Sequence, residues 1–298
     1  MDVRRLRLLR ELADRGTVTA VAKALAYTPS AVSQQLRALQ AEVGVTLTEP
    51  AGRGLRLTDA GRALAARADE VLAVLDRAEA ELNTYRSTPR GTVRVALFPS
   101  GALLLLPGLL RRMSAIREVS LECRDVDMTP PEVQALVADF DIVVAHRDDQ
   151  AQPFDSERME ITPLLREPLD VALPRGHPLA SRDRVELTEL AGEPWVSVDI
   201  GFPVDDVLRS LAVRTGTRPK VVQRINDFRV IEALVADGFG VALLPRYTVD
   251  DPRLVLRPLA GVRAGRNVEA VSRRGASERP AVRAVFDALL AEAASVTG

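Results

Sequence analysis

Residues 26–39 read AYTPSAVSQQLRAL: a turn too brief for a strand, then a helix-like run with one apolar stripe and one polar edge. Pro29 suits a first helical turn, where its missing N–H needs no partner. Val32, Leu36 and Leu39, spaced by four and three, form the inward stripe. Thr28 and Pro29 open the run, and Ser30, Ser33, Gln34 and Arg37 are left on the outward side. Such an edge is either the wet side of a surface helix or a set of groups for DNA. Arg and Gln can make paired hydrogen bonds to guanine and adenine edges, and Ser reaches phosphate or base.

The flanking residues bear on that choice. Upstream, Val3, Leu6, Leu9 and Leu12 recur every three residues, which predicts a helix through about Asp14 that Gly16 can end. Thr17 or Thr19 can cap a second helix with Ala20, Val21, Ala24 and Leu25 as its apolar set. Two short helices joined by a tight turn form a helix-turn-helix, whose second helix enters the major groove. Downstream lies GVTLTEPAGRGLRLTDAGRAL, residues 44–64. Here Leu47 is expected to close a short helix, PAGRG to turn, and LRLT to form a strand, making a wing that carries Arg53 and Arg56. A basic wing can lie along phosphates and supply salt-sensitive affinity. Residues 1–60 hold nine Arg or Lys against six Asp or Glu, so the local balance is positive.

The whole chain of 298 residues has a net charge of −1, so any sign of nucleic-acid binding must be local, as it is here. One cysteine, Cys123, rules out a disulfide within these residues and a thiolate metal cluster. The opening MDVRRLRLLRELAD mixes arginines among its apolar residues, unlike a signal peptide. The longest apolar run, Gly101 to Leu110, is half the roughly 20 residues of a membrane span and contains Pro107. A cytoplasmic protein without membrane contact is therefore expected. With only His146 and His177, and no H-x-E, HExxH or GxSxG arrangement, neither an enzyme, a metal site nor a cofactor is expected. His177 in RGHPL reads as a turn residue. His146 follows FDIVVA and reads first as a solvated loop histidine, with the cleft as the alternative. Asp141 heads the same strand with no identifiable partner.

From Asp59 to about Tyr85 there is no proline. Leu64, Ala68, Val71, Leu75, Ala78 and Leu82 are spaced 4, 3, 4, 3, 4, a heptad seam. An amphipathic helix on its own domain would show the same spacing. At ~1.5 Å per residue, however, the helix runs roughly 40 Å, more than a small domain covers, which points to the same helix of a second subunit. Two recognition helices related by a twofold axis fit a dyad-symmetric operator in double-stranded DNA. STPRG, residues 87–91, reads as a hinge.

Beyond Gly91, short apolar strands alternate with helices, which predicts α/β layers with a parallel, doubly wound sheet. TVRVALF, VSLECRDV and FDIVVA form a first set; LDVALP, EPWVSV, PKVVQRI and GVALLP form a second. VEAVSRR and Ala281 to Ala294 return to the first. Ligands bind beyond the carboxyl ends of such strands, where Ser100, Gly101, Thr129 and the stretch Ser197 to Phe202 fall, including Asp199. Asn226 and Phe228 can add to the wall. Ser100 and Thr129 are equally explained as helix caps. Gly238 and Gly240 in ADGFGVALLP serve a turn into a buried strand.

The succession TAVAKALAYTPSAVSQQLRALQAEVGVTLTEPAGRGLRLTDAGRAL, residues 19–64, resembles the winged helix-turn-helix of the LysR-type transcriptional regulators. Ala31, Val32, Ser33, Leu36 and Arg37 match the recognition-helix pattern. The chain departs from it at Thr28–Pro29–Ser30, where the family often has Ser-Gln-Pro, and at Leu47–Pro50, where Leu-Phe-x-Arg is common. The resemblance implies an all-α winged domain, a linker helix and a two-lobed effector domain similar to periplasmic binding proteins. It also implies a homodimer or homotetramer, a small-molecule effector, and RNA polymerase among the candidate partners. The expected boundaries are 1–58 for DNA binding, 59–87 for the linker and 88–298 for the effector domain. Lobe I then spans about 91–163 and 266–298, and lobe II about 164–265. The competing expectation is a cytoplasmic solute-binding protein with a helical interaction module.

Overall fold

The computed structural model describes residues 1–51, 54–84, 89–149, 151–154, 159–216, 218–261 and 263–297. Arg53, Ser87, Thr88 and the side chain of Leu82 lie outside the described residues. The chain begins with helices α1 (Val3–Arg15), α2 (Val18–Ala24) and α3 (Pro29–Val43), followed by strands β1 (Thr48–Ala51) and β2 (Gly54–Leu57). Gly16 ends α1 at φ 71°, and Thr17 caps α2 by accepting from the Ala20 amide. The inward face of α2 is Val21 and Ala22, with Val18 and Leu25 beside them. Ala24, expected inside, is exposed. Ala26 adopts φ 55°, and the Tyr27 amide reaches back to the Ala22 carbonyl at 2.9 Å. This left-handed turn swings α3 across α2.

Val32, Leu36 and Leu39 of α3 are buried as their spacing predicts. No short helix precedes Leu47: α3 runs unbroken to Val43, and Gly44 ends it at φ 70°. The Gln40 side chain takes the place of that helix, accepting from the Leu47 amide at 3.0 Å. Residues 48–51, of which Pro50 and Ala51 were expected in the turn, form the first wing strand, with Pro50 opposite Leu55 on a two-stranded ribbon where an absent N–H leaves no ladder incomplete.

Thr58 caps helix α4 (Asp59–Thr84) through the Gly61 amide at 3.0 Å. Ala65, Ala68 and Leu72 are buried in α4. The heptad seam is therefore split. Leu64 packs against and Ala68 lies within the winged domain's own core, because the first half of α4 covers α1. Val71 and Leu75 remain 43% and 40% exposed, and Ala78 is exposed as well.

The second half holds β3 (Gly91–Leu97), α5 (Pro99–Met113), β4 (Val119–Asp125), α6 (Val133–Leu136), β5 (Ile142–Asp148) and β6 (Met159–Pro174). Then follow β7 (Pro194–Ser197), α7 (Pro203–Thr215), β8 (Lys220–Arg224), α8 (Phe228–Ala236), β9 (Ala242–Pro245), β10 (Leu254–Arg257), β11 (Gly265–Arg273) and α9 (Pro280–Thr297). Among the described strands, pairing is parallel where β3 joins β4 and β5, and where β7 joins β8 in a separate two-stranded sheet. The expectation of a parallel sheet throughout fails because β6 and β11 run antiparallel to each other and tie the layers together. β6 begins beside β11 and ends between β9 and β10, so one strand serves both lobes. One buried cluster contains Val93, Ile142, Val268 and Leu289, the other Leu169, Trp195, Leu211 and Val241.

The winged domain sits on the edge of the first cluster through charged groups. Arg273 donates to Asp14 at 2.8 Å and to the Ala138 carbonyl, and Arg15 donates to Asp139 at 2.9 Å. Burial would raise the Glu11 carboxyl, but hydrogen bonds from Arg15 and Arg10 outweigh it and hold its pKa below the ordinary 4.5. The stabilisation from Glu11 is thus present above that pH and is lost as pH falls through the lowered value. Removing Arg273 leaves Glu11 and Asp14 short of a cation at this junction. Arg273→Ala should cost about 1–3 kcal/mol and raise the radius of gyration in small-angle scattering. An unchanged scattering profile would show that the junction is held by other contacts.

Candidate functional site

Two sites take shape from these elements. On α3, Thr28 is the N-cap: its hydroxyl accepts from the Ala31 amide at 3.2 Å and lies 3.0 Å from the Ser30 hydroxyl. Pro29 and Ser30 are exposed at the helix start, Ser33 is half-buried, and Gln34 and Arg37 are exposed. Arg37 has no ion pair among the described residues. Arg56, on the wing, pairs with Glu49 at 2.7 Å across the hairpin, so part of its charge is already matched.

The second site is a cavity of about 440 Å³ between the two lobes. Its floor includes Arg266 on β11, backed by its cross-strand neighbour Glu167 on β6. They are 1% and 0% exposed, and Arg266 donates to Glu167 at 2.7 and 2.9 Å. A buried charge needs such a partner, since desolvation costs several kcal/mol per ion. Arg266 also donates to the Ser100 hydroxyl at 2.9 Å. Its guanidinium carbon lies 4.9 Å from the Phe98 ring centroid and 5.7 Å from that of Phe228, within cation–π range. His146, on β5, packs against Phe98 with centroids 4.2 Å apart and ring planes tilted by 41°. Burial, aided by the Arg266 charge, pushes the His146 pKa well below 6.5, so the ring is neutral near pH 7. Its Nδ1 is buried without a hydrogen-bond partner among the described residues.

At the mouth, the Asn226 amide donates to Asp127 at 3.0 Å, and its carbonyl accepts from the Asp199 amide at 2.9 Å. A hydrogen bond therefore crosses the cleft between the lobes. Burial raises the Asp127 pKa, the Asn226 bond lowers it in part, and the nearby Glu132 and Asp199 charges raise it further.

Ser100, Phe202, Asn226 and Phe228 line the cavity as expected from their places after strand ends. Gly101 does not: it is buried in α5, where a Cβ would strike the Phe98 ring, so its role is to make room for that ring. Thr129 is not among the cavity-lining residues: it opens the short turn Pro130–Glu132, where its amide and hydroxyl both donate to the Glu132 carboxylate at 2.7 Å. Ser197 is buried in β7, and the Asp199 side chain is exposed outside the wall. His146, expected as a solvated loop residue, is a buried cavity residue because β5 extends through it to Asp148. Phe98, Asp125, Asp127, Glu232, Arg266 and Glu167 were missed. No single-charge signal marked Arg266 or Glu167, whose close neighbours in the chain include Arg166, Asp170, Arg263 and Glu269. His177 is a turn residue, accepting from the Leu179 amide at 3.1 Å. Asp141 pairs with Arg279 and accepts from the Arg94 amide. No group of three or more potential metal ligands occurs among the described residues, and no helix there is long and apolar enough to cross a membrane.

The LysR substrate binding domain matches residues 86–294, and the bacterial regulatory helix-turn-helix of the lysR family matches residues 3–62. The transcriptional dual regulator GltC of Bacillus subtilis is 30% identical over 86% of this chain and 85% of its own. A probable hydrogen peroxide-inducible genes activator of Mycobacterium leprae is 27% identical over 96% and 94%. A full-length OxyR variant from Pseudomonas aeruginosa aligns with a TM-score of 0.69 at 20% identity, over 97% and 94% of the two chains. CbnR bound to its target DNA aligns with a TM-score of 0.55 at 22% identity, over 98% and 100%.

Removing one member of the floor pair should cost more than removing both. Arg266→Met leaves Glu167 buried and uncompensated and should destabilise the chain by about 3–5 kcal/mol. Adding Glu167→Gln should recover most of that in urea denaturation, and an additive cycle would contradict the pairing.

Proposed function

The chain belongs to the LysR family of bacterial transcriptional regulators, and from that premise we propose how its own residues divide the work. The outward edge of α3 binds an operator of dyad symmetry, with Gln34 and Arg37 at base edges and Thr28, Pro29, Ser30 and Ser33 near the backbone. Arg53 and Arg56 follow the phosphates. The observation that carries this reading is that Arg37 stands exposed on the outward edge of α3 with no ion pair among the described residues, while Arg5, Arg15 and Arg56 are matched. A guanidinium left in water at a helix surface is available for a guanine edge. The relatives are regulators rather than enzymes, and the match of residues 3–62 to a regulatory helix-turn-helix speaks against the solute-binding alternative, which reads them as a helical interaction module.

The cleft holds a small effector against Ser100, Phe202, Asn226 and Phe228, and the protein acts in the cytoplasm on chromosomal DNA. Binding favours one angle between the lobes, and the free energy of regulation is the difference in effector affinity between the arrangements. Some relatives are named for hydrogen peroxide, yet here burial pushes the single thiol, Cys123, above its ordinary pKa. A protonated thiol is a poor nucleophile, which favours reversible binding over oxidation as the signal. Pairs form along the exposed part of α4, with Val71, Leu75 and Ala78 facing a second copy, and two pairs can join as a tetramer that contacts RNA polymerase.

In gel shifts with the region upstream of its own gene, Arg37→Ala should weaken specific binding by roughly 1–3 kcal/mol. Binding to random DNA should change far less, and no preference of the parent protein for that fragment would defeat the regulator reading. In cells carrying a reporter on the same region, Ser100→Trp should flatten the response to growth conditions while purified protein still shifts the fragment. Equal loss of both would contradict the division of labour. Val71→Asp combined with Leu75→Asp should lower the mass seen by light scattering toward one chain, and an unchanged mass would place the pairing surface elsewhere.

A further inference from the structure

We infer that the effector is an organic amine with an apolar or aromatic body, its ammonium held by Asp125 and Asp127 at the mouth of the cleft. This rests on the effector reading of the cavity and adds the charge of the ligand. Four carboxylates line the cavity, Asp125, Asp127, Asp227 and Glu232, against the guanidiniums of Arg229 and Arg266. Arg266 is already neutralised by Glu167 directly behind it, so it presents a flat π surface and little net charge. The neutral ring of His146 adds none.

Three helix starts, of α5, α7 and α8, also meet at the cavity, and each contributes about half a positive charge. That alone would favour an anion. However, α7 carries Asp205 and Asp206 in its first turn, and the Asp227 side chain caps α8 by accepting from the Arg229 amide. Crediting all three helix starts in full still leaves the lining negative. Burial is the main cause of the raised Asp127 pKa, and the Glu132 and Asp199 charges add to it, so a cation placed beside Asp127 offsets both.

The interior suits the remainder of such a molecule. Phe202, Phe228, Val198 and Leu103 supply apolar wall, and aromatic faces also attract ammonium groups. Deeper in, the buried Nδ1 of His146 has no partner among the described residues. An unmatched buried nitrogen costs free energy, and a ligand N–H or O–H directed at it removes that cost.

The test uses the full chain and three matched probes: phenethylamine, hydrocinnamate and phenethyl alcohol. Phenethylamine should bind saturably in calorimetry and raise the melting temperature more than the other two. Asp127→Asn keeps an oxygen for the Asn226 bond, so the unliganded melting temperature should hold. It should weaken the amine by about tenfold or more, the range of one hydrogen bond to a charged group. Hydrocinnamate or the alcohol binding as well as the amine, or amine binding undiminished by Asp127→Asn, would overturn the charge assignment and leave the cleft as an effector site. Failure of all three probes to bind would also overturn it, and the Ser100→Trp reporter comparison then decides the cleft reading separately.

Discussion

The pairing of Arg266 with Glu167 is the contact on which the second half of the molecule depends. The two residues face each other across β11 and β6 where both strands pass from one lobe to the other. Either charge alone would be untenable at that depth, so the strands must keep this register for the lobes to exist together. Through Arg266 the pair reaches Ser100 on α5, and through Glu167 it reaches the Tyr247 amide after β9. The hinge is therefore also the floor of the cavity. A ligand seated there touches groups belonging to both lobes and the strands between them, which gives its binding energy a direct route to the angle between the lobes.

Around the hinge the sequence obeys ordinary rules. Helices start at proline or a hydroxyl cap, as at Thr17, Thr28 and Pro99, and stop at glycines with positive φ, as at Gly16 and Gly44. Gly101 belongs to a different class, since its value is the space it leaves for Phe98. Phe98 in turn sets the positions of His146 and Arg266. Side-chain geometry in the cavity therefore begins with a hydrogen atom where other residues have a methyl group.

The winged domain was largely legible because its signals are local: spacings of three and four, caps and a turn of fixed length. The heptad on α4 was legible as a period but not as a surface. Spacing cannot distinguish a helix covering α1 from one covering a partner, and here the stripe packs on the winged domain as far as Ala68 and is exposed at Val71, Leu75 and Ala78. Of the cavity, Ser100, Phe202, Asn226 and Phe228 were found, whereas Phe98, Asp125, Asp127, Glu232 and Arg266 were not. Arg266 and Glu167 stand 99 positions apart, and nothing in either neighbourhood specifies the other. His146 was misassigned because the apolar run FDIVVA ends before the strand does. Thr129 was ambiguous for a physical reason: a hydroxyl at a helix start is equally fit to cap or to bind, and here it donates to the Glu132 carboxylate.

The route of the chain through the lobes also sets an order of assembly. The core built around Val93 and Ile142 needs Val268, Val285 and Leu289 to close, while the core around Leu169 and Trp195 is complete by Ala264. On a ribosome adding about 5–20 residues per second, the lobe made second can finish first. The strands β3, β4 and β5 must wait, for seconds, with an open sheet edge that β11 later covers. Such an edge is a template for pairing with other chains. The nascent protein is thus most exposed to misassembly while its outer lobe is being made, and the C-terminal strand and helix end that interval.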